Sequence, residues 1–137
     1  MEIRKITNDE FLQLAELTIV MYKYIDDGID SFQAVNTLVH CINTGKDFVA
    51  LGLFDGTKLI GIVTGLAYNS TTYFFSGIYM TVKNSEHLKE LVEKSFAYVK
   101  DLGYKAWEVD ATSDNIGSIM EKYGAYIKYI RYRKEFD

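Results

Sequence analysis

The stretch from Tyr73 to Asp110 constrains the fold of this chain more than any other. Tyr73–Val82 is rich in aromatic and β-branched residues and reads as a strand; Lys83-Asn84-Ser85 breaks it. A helical pattern follows, with Leu88, Leu91, Val92, Ser95, Phe96, Val99 and Leu102 on one face and Gly103 just past its end. Tyr104–Ala111 then reads as a second strand. A parallel strand-helix-strand unit points the free N–H groups of its helix beyond the carboxyl end of the first strand, which makes an anion site. An enzymatic function would sit at the Lys83–Ser85 turn.

Length and composition limit what this unit belongs to. The 137 residues suffice for a single domain, 1–137, with a sizeable core, and a composition 48% hydrophobic and 15% aromatic without proline excludes a Pro-rich linker or low-complexity tail. The net charge of −4 argues against nucleic acid as a partner, because neutralising phosphates needs clustered Lys and Arg. No apolar run is long enough to span a bilayer or act as a signal peptide, so no membrane partner is expected. The single cysteine, Cys41, cannot close an internal disulfide, and the expected compartment is the cytoplasm.

From the amino terminus, Met1–Ile6 alternates as a short first strand. Thr7-x-x-Glu10 has the form of a capping box, and Phe11, Leu14, Thr18, Met21 and Ile25 follow on one helical face that ends near Asp27-Gly28. Asp30 with Gln33 caps a second helix whose stripe is Phe32, Val35, Leu38, Val39 and Ile42, with a stop at Gly45. Phe48–Phe54 suits a strand covered on both faces, Asp55-Gly56 a hairpin turn, and Leu59–Tyr68 the returning strand. Asn69–Thr72 turns the chain into Tyr73–Val82, where Gly77 is a candidate bulge. After Tyr104–Ala111, Ser113 or Asp114 caps a short helix to Tyr123, and Ala125–Phe136 reads as the final strand.

The order is β-α-α-β-β-β-α-β-α-β, an α+β (α/β) domain with a mixed sheet and helices on both faces. With the Leu53-Phe54-Asp55-Gly56-x-x-Leu59-Ile60-Gly61 hairpin, Ser113-Asp114-Asn115, and Glu121-Lys122-x-Gly124 before the last strand, it resembles the GCN5-related N-acetyltransferase (GNAT) superfamily over essentially the whole chain. The resemblance implies the acyl-CoA N-acyltransferase fold. In that fold the fourth and fifth strands, here near Tyr79–Val82 and Tyr104–Ala111, splay apart to admit acetyl-CoA. It further implies acetyl-CoA as cofactor, a small amine or a protein amine as acceptor, and Met80, Val82, Lys83, Asn84, Ser85 and Asn115 as the CoA contacts.

The chain departs from the family pattern in three places. The family's phosphate loop reads Arg or Gln, two residues, Gly, one residue, then Gly or Ala. Between Val82 and Leu88 this chain has Lys83, Asn84, Ser85, Glu86 and His87, without glycine or arginine. Lys83–Ser85 therefore reads either as a residual anion site or as an ordinary helix cap, and Glu86 would repel a phosphate. Tyr73–Val82 contains no acid where relatives often place a glutamate. Met120 stands where the thiolate-protonating tyrosine is expected, with Tyr123 facing another way. No catalytic residue is assigned. Asn115 suits a CoA contact and a helix cap equally, and Asp110 suits either a contact to the amine or a strand end. A second reading therefore stands beside the enzyme: a GNAT-fold module without catalysis that binds another protein chain through its C-terminal strand, for example in a phage assembly, and so resides in a virion.

Other residues read as structural. His40 and Cys41 are adjacent and have no companion ligands, so no metal site is expected. Cys41 reads as a small core residue, His87 as a solvent-exposed side chain and Trp107 as a sheet anchor. Tyr126–Lys134 interleaves aromatics with bases, but alternation splits the charge between two faces; a half-exposed strand fits better than a nucleic-acid surface. Eleven tyrosines suit a protein interface.

Overall fold

The structure, a computed structural model, describes residues 1–25, 28–110, 119–126, 134 and 136. In chain order they form β1 (Glu2–Lys5), a 3-10 turn (Asn8–Glu10), α1 (Phe11–Ile25), α2 (Ser31–Thr44), β2 (Val49–Asp55), β3 (Lys58–Ala67), β4 (Thr72–Met80), α3 (Ser85–Asp101) and β5 (Ala106–Val109). Residues 119–122 are helical. Ser113, Asp114, Asn115 and most of the expected final strand lie outside the described residues.

Local chemistry sets the helix starts. Glu10 Oε1 accepts from both the Thr7 N–H and the Thr7 hydroxyl, each at 2.9 Å, while the Glu10 N–H donates to the Thr7 carbonyl. Arg4 grips the same carboxylate with two bonds of 2.7 and 2.6 Å and lies 3.8 Å above the Phe54 ring. The Arg4 guanidinium first, then the Thr7 N–H, hold the Glu10 carboxyl down at about 2. At α2, Asp30 Oδ1 accepts from the Gln33 N–H at 2.8 Å and the Asp30 N–H donates to Gln33 Oε1 at 3.0 Å, a reciprocal capping box. Gly45 ends that helix in extended backbone, φ −73°, its N–H bonded to the Cys41 carbonyl.

The sheet order is β1-β2-β3-β4-β5, with the first four strands antiparallel and β5 parallel to β4. Gly56 supplies the positive φ of +61° that the β2–β3 hairpin needs, and Asn69 Oδ1 accepts from the N–H groups of Thr71 and Thr72 in the next turn. β2 is buried on both faces because alternate residues serve two cores. Val49, Leu51 and Leu53 pack with Leu91 and Val99 of α3; Ala50 and Phe54 pack with Leu14, Ala15 and Leu38 of α1 and α2.

Three expectations need correction. Both β4 and β5 are shorter than the pattern predicts, ending at Met80 and Val109. The α2 stripe is only partly used: Ala34 and Leu38 are buried, while Phe32 is 74% exposed and Val39 and Ile42 are also exposed, since the helix packs mainly against α1. The bulge expected at Gly77 has Ser76 as its extra residue, because Thr64 pairs with Gly77 and Gly65 with Phe75.

Candidate active site

Among the described residues β4 and β5 pair only from Thr72–Ala106 to Phe75–Val109, and β4 runs on to Met80 with no described strand on that side. The direction of its backbone groups there follows from register. The Thr81 N–H donates to the Ile60 carbonyl at 2.9 Å, and Tyr79 and Gly77 stand opposite Ile62 and Thr64 at the same two-residue spacing. In an antiparallel ladder those residues face their partner strand, so Ile78 and Met80 turn their N–H and C=O groups to the other edge, beyond the last β5 pairing. Their side chains pack on the α3-side core, and Tyr79 packs on the opposite face. An open strand edge of this kind pairs with an extended, amide-bearing ligand.

Past β4 the chain bends at Thr81 and Val82 and enters α3. Asn84 caps the helix: its Oδ1 accepts from the His87 N–H at 3.1 Å and its carbonyl from the Leu88 N–H. The N–H groups of Ser85 and Glu86 have no intrahelical acceptor and point past the end of β4. Val82, Lys83 and Ser85 are exposed around this turn. His87 is not solvent-exposed as expected; it is half-buried, and its Nδ1 is buried without a hydrogen-bond partner among the described residues.

A cleft of about 960 Å³ runs from the β4–β5 divergence to α1 and α2. Its lining includes Met80 and Lys83, and beyond β5 Asp110; these and the cap thus gather at one end, while Asn115 lies outside the described residues. The bulge shapes the middle. The Ser76 and Thr64 hydroxyls are 2.9 Å apart, and the Met21 thioether lies across Gly77, where a Cβ would meet its sulfur at 2.5 Å. At the far end Tyr22 and Cys41 face Tyr68 and Phe74 across the cleft. Cys41 is therefore a half-buried wall residue rather than a core residue: one turn beyond the buried Leu38, it faces the sheet where the cleft opens. Burial pushes the Cys41 thiol up, and burial followed by the nearby Cys41 pushes the Tyr22 hydroxyl up.

No acid stands on β4, and Met120 is buried, 5% exposed. Tyr123 is directed to α3, its hydroxyl donating to Glu93 Oε1 at 3.1 Å and its ring set edge-on to Phe96. Trp107 stacks on Phe96 with 4.4 Å between centroids, as a sheet anchor. Among the described residues no cluster of His, Cys, Asp and Glu is arranged to hold a metal ion, and no helix is long and apolar enough to cross a membrane. The wall residues Tyr22, Tyr68 and Phe74, and the backbone of Ile78, were not singled out by the sequence pattern, and Met21 figures there only as part of the apolar face of the first helix. Gly77 pointed to the bulge, and counting register from it would have found Ile78.

No family model matches the sequence, and no curated protein is similar to it in sequence. Solved structures are similar over the whole length. The apo aminoglycoside 6′-N-acetyltransferase AAC(6′)-Ig from Acinetobacter haemolyticus matches with a TM-score of 0.71 at 14% identity, covering 100% of both chains. AAC(6′)-Iy in complex with CoA matches with a TM-score of 0.71 at 14% identity, over 98% of this chain and 95% of that one. Glucosamine-6-phosphate N-acetyltransferase from Arabidopsis thaliana matches with a TM-score of 0.69 at 18% identity, over 99% and 98%. The chain has the GNAT acyl-CoA N-acyltransferase fold.

Proposed function

We propose that this chain is an acyl-CoA-dependent N-acetyltransferase, with acetyl-CoA lying along the free edge of β4 and a small amine or protein amine entering from the α1 and α2 side. The observation that carries the proposal is the β4–β5 divergence after Phe75 and Val109, which opens into a cleft large enough for both reactants. The residues suit the cofactor in part. The N–H and C=O groups of Ile78 and Met80 match the amides of an extended CoA arm, and Val82 and Lys83 follow on the same path. The Ser85 and Glu86 N–H groups and the Lys83 ammonium favour a pyrophosphate, while the Glu86 carboxylate opposes it. Asn84 orders that turn, and Asn115 is retained as a further contact.

When bound, acetyl-CoA supplies a thioester: the amine nitrogen bonds to the acetyl carbon, the carbon–sulfur bond breaks, and the proton lost by the amine neutralises the departing thiolate. The chain's own part is to hold both reactants in one cleft, and such approximation supplies several orders of magnitude in rate when the amine arrives neutral.

Calorimetric titration with acetyl-CoA, with desulfo-CoA as the unreactive control, tests this reading. Saturable binding in the range of about 1–100 μM, followed by amide formation with an amine panel, is the expected result. Absence of both heat and thermal shift at about 1 mM CoA would overturn it and leave the fold as a non-catalytic protein-binding module.

A further inference from the structure

We infer that the acceptor of this site is an amine that enters uncharged on an apolar or aromatic carrier, and that polycationic amines and aminosugars are poor acceptors. The inference rests on the acyl-transfer reading above. Its basis is the far end of the cleft, walled by Met21, Tyr22, Thr37, Cys41, Tyr68 and Phe74. None of these side chains carries a charge near neutral pH.

Among the described residues the surrounding elements add none. α2 has no Asp, Glu, Lys or Arg along its 14 residues. The charged residues of α1, Glu16 and Lys23, are exposed and do not line the cleft. Among the described residues that line it, Lys83 and Asp110 are the charged ones, and both lie past the carboxyl ends of β4 and β5, at the cofactor end.

A cation that enters an apolar wall without a carboxylate loses hydration and gains no partner, so it either stays out or sheds its proton. An amine with a single basic group sheds it; a polyamine or aminosugar has several charges or many hydroxyls that this wall leaves unsatisfied. The same wall accounts for the lack of an acid on β4. Where entry itself selects the neutral, nucleophilic amine, its ammonium proton has already gone to bulk solvent and no base is needed to free the nucleophile; the N–H proton released on acylation goes to the departing thiolate. The upward displacement of the Cys41 thiol and Tyr22 hydroxyl is consistent with this poorly solvated wall. The Ser76 hydroxyl, held by Thr64, is a neutral group at the bulge to accept a hydrogen bond from the amine N–H.

The test has two arms. Saturation-transfer NMR on the protein without CoA compares 2-phenylethylamine, spermidine and glucosamine, and reads the wall independently of acyl transfer. The expected result is a signal from 2-phenylethylamine that the other two do not displace. Steady-state acetylation at saturating acetyl-CoA is then expected to give a kcat/KM for 2-phenylethylamine at least about ten-fold above those of spermidine and glucosamine. Thr37→Asp, an exposed position on the wall, is expected to narrow that ratio about ten-fold with the melting temperature retained, and Cys41→Asp provides a second carboxylate on the same wall. Equal or better binding or turnover of spermidine or glucosamine by the unmodified protein would overturn the inference, as would a ratio unmoved in both folded variants. Failure to bind CoA with retained 2-phenylethylamine binding would overturn the transfer reading alone.

Discussion

Gly77 has no side chain because Met21 occupies the space where one would stand. Gly77→Ala is therefore expected to overpack the bulge and lower stability by about 1–3 kcal/mol, read from the midpoint of urea denaturation. Adding Met21→Ala should make the double variant lose less than the sum of the two single losses; strict additivity would show that the contact does not set the residue type. Glu10 gives a prediction in pH. Its carboxyl is held at about 2 in the fold by Arg4 and Thr7, against an ordinary value of 4.5. A depressed carboxyl contributes stability that is complete above its unfolded value and vanishes as pH falls through the folded one. The melting-temperature gap between the natural protein and Glu10→Gln should thus be constant above about pH 5 and close toward about pH 2, with Arg4 protonated throughout. A gap that persists at the acid end would remove the Arg4–Glu10 clamp as its cause.

At the scale of elements, α3 does two jobs through one residue. Asn84 caps it by accepting from the His87 N–H, and the same turn is the proposed pyrophosphate site. Asn84→Ala should cost about 1 kcal/mol of stability, whereas Asn84→Asp keeps an equally good cap and adds a negative charge. If the turn holds phosphate, Asn84→Asp should leave the melting temperature nearly unchanged yet weaken CoA about ten-fold or more, by calorimetry. Unaltered affinity would move the pyrophosphate elsewhere. The elements were legible where short-range chemistry fixes them. Asp30 with Gln33 and the Asp55-Gly56 turn are complete within four residues and form as the spacing predicts, and of the Lys83–Ser85 turn it is Asn84 that caps the helix. Legibility failed where distant packing decides. The apolar residues Phe32 and Ile42 carry the periodicity of a buried stripe, yet α2 packs mainly against α1 and leaves them exposed, and nothing local distinguishes them from Leu38.

For the whole molecule, the fold was readable from element order together with a few short motifs, because a three-stranded meander followed by a crossover helix restricts β5 to the free edge of β4. The candidate site was readable only at its turn. Its β4 groups are backbone amides, which no residue type encodes, and its far wall brings Cys41 of α2 to Phe74 of β4 only after folding. If the divergence is a cofactor slot, acetyl-CoA at a hundred times its dissociation constant should raise stability by about 2.7 kcal/mol, seen as a rise in melting temperature. No rise under those conditions, with binding established by calorimetry, would mean that the unfolded chain binds equally. The bulge has one more consequence, which belongs to inheritance rather than to chemistry. Ser76 is a single supernumerary residue, left out of the alternation that sets Phe75 opposite Gly65 and Gly77 opposite Thr64. Replacing Ser76 alters one hydroxyl; losing its codon joins Phe75 to Gly77 opposite the adjacent Gly65 and Thr64, a plain ladder in which Tyr79, Ile78 and Met80 keep their faces and the kink is lost. At this position the gene can shorten by one codon without turning the strand over.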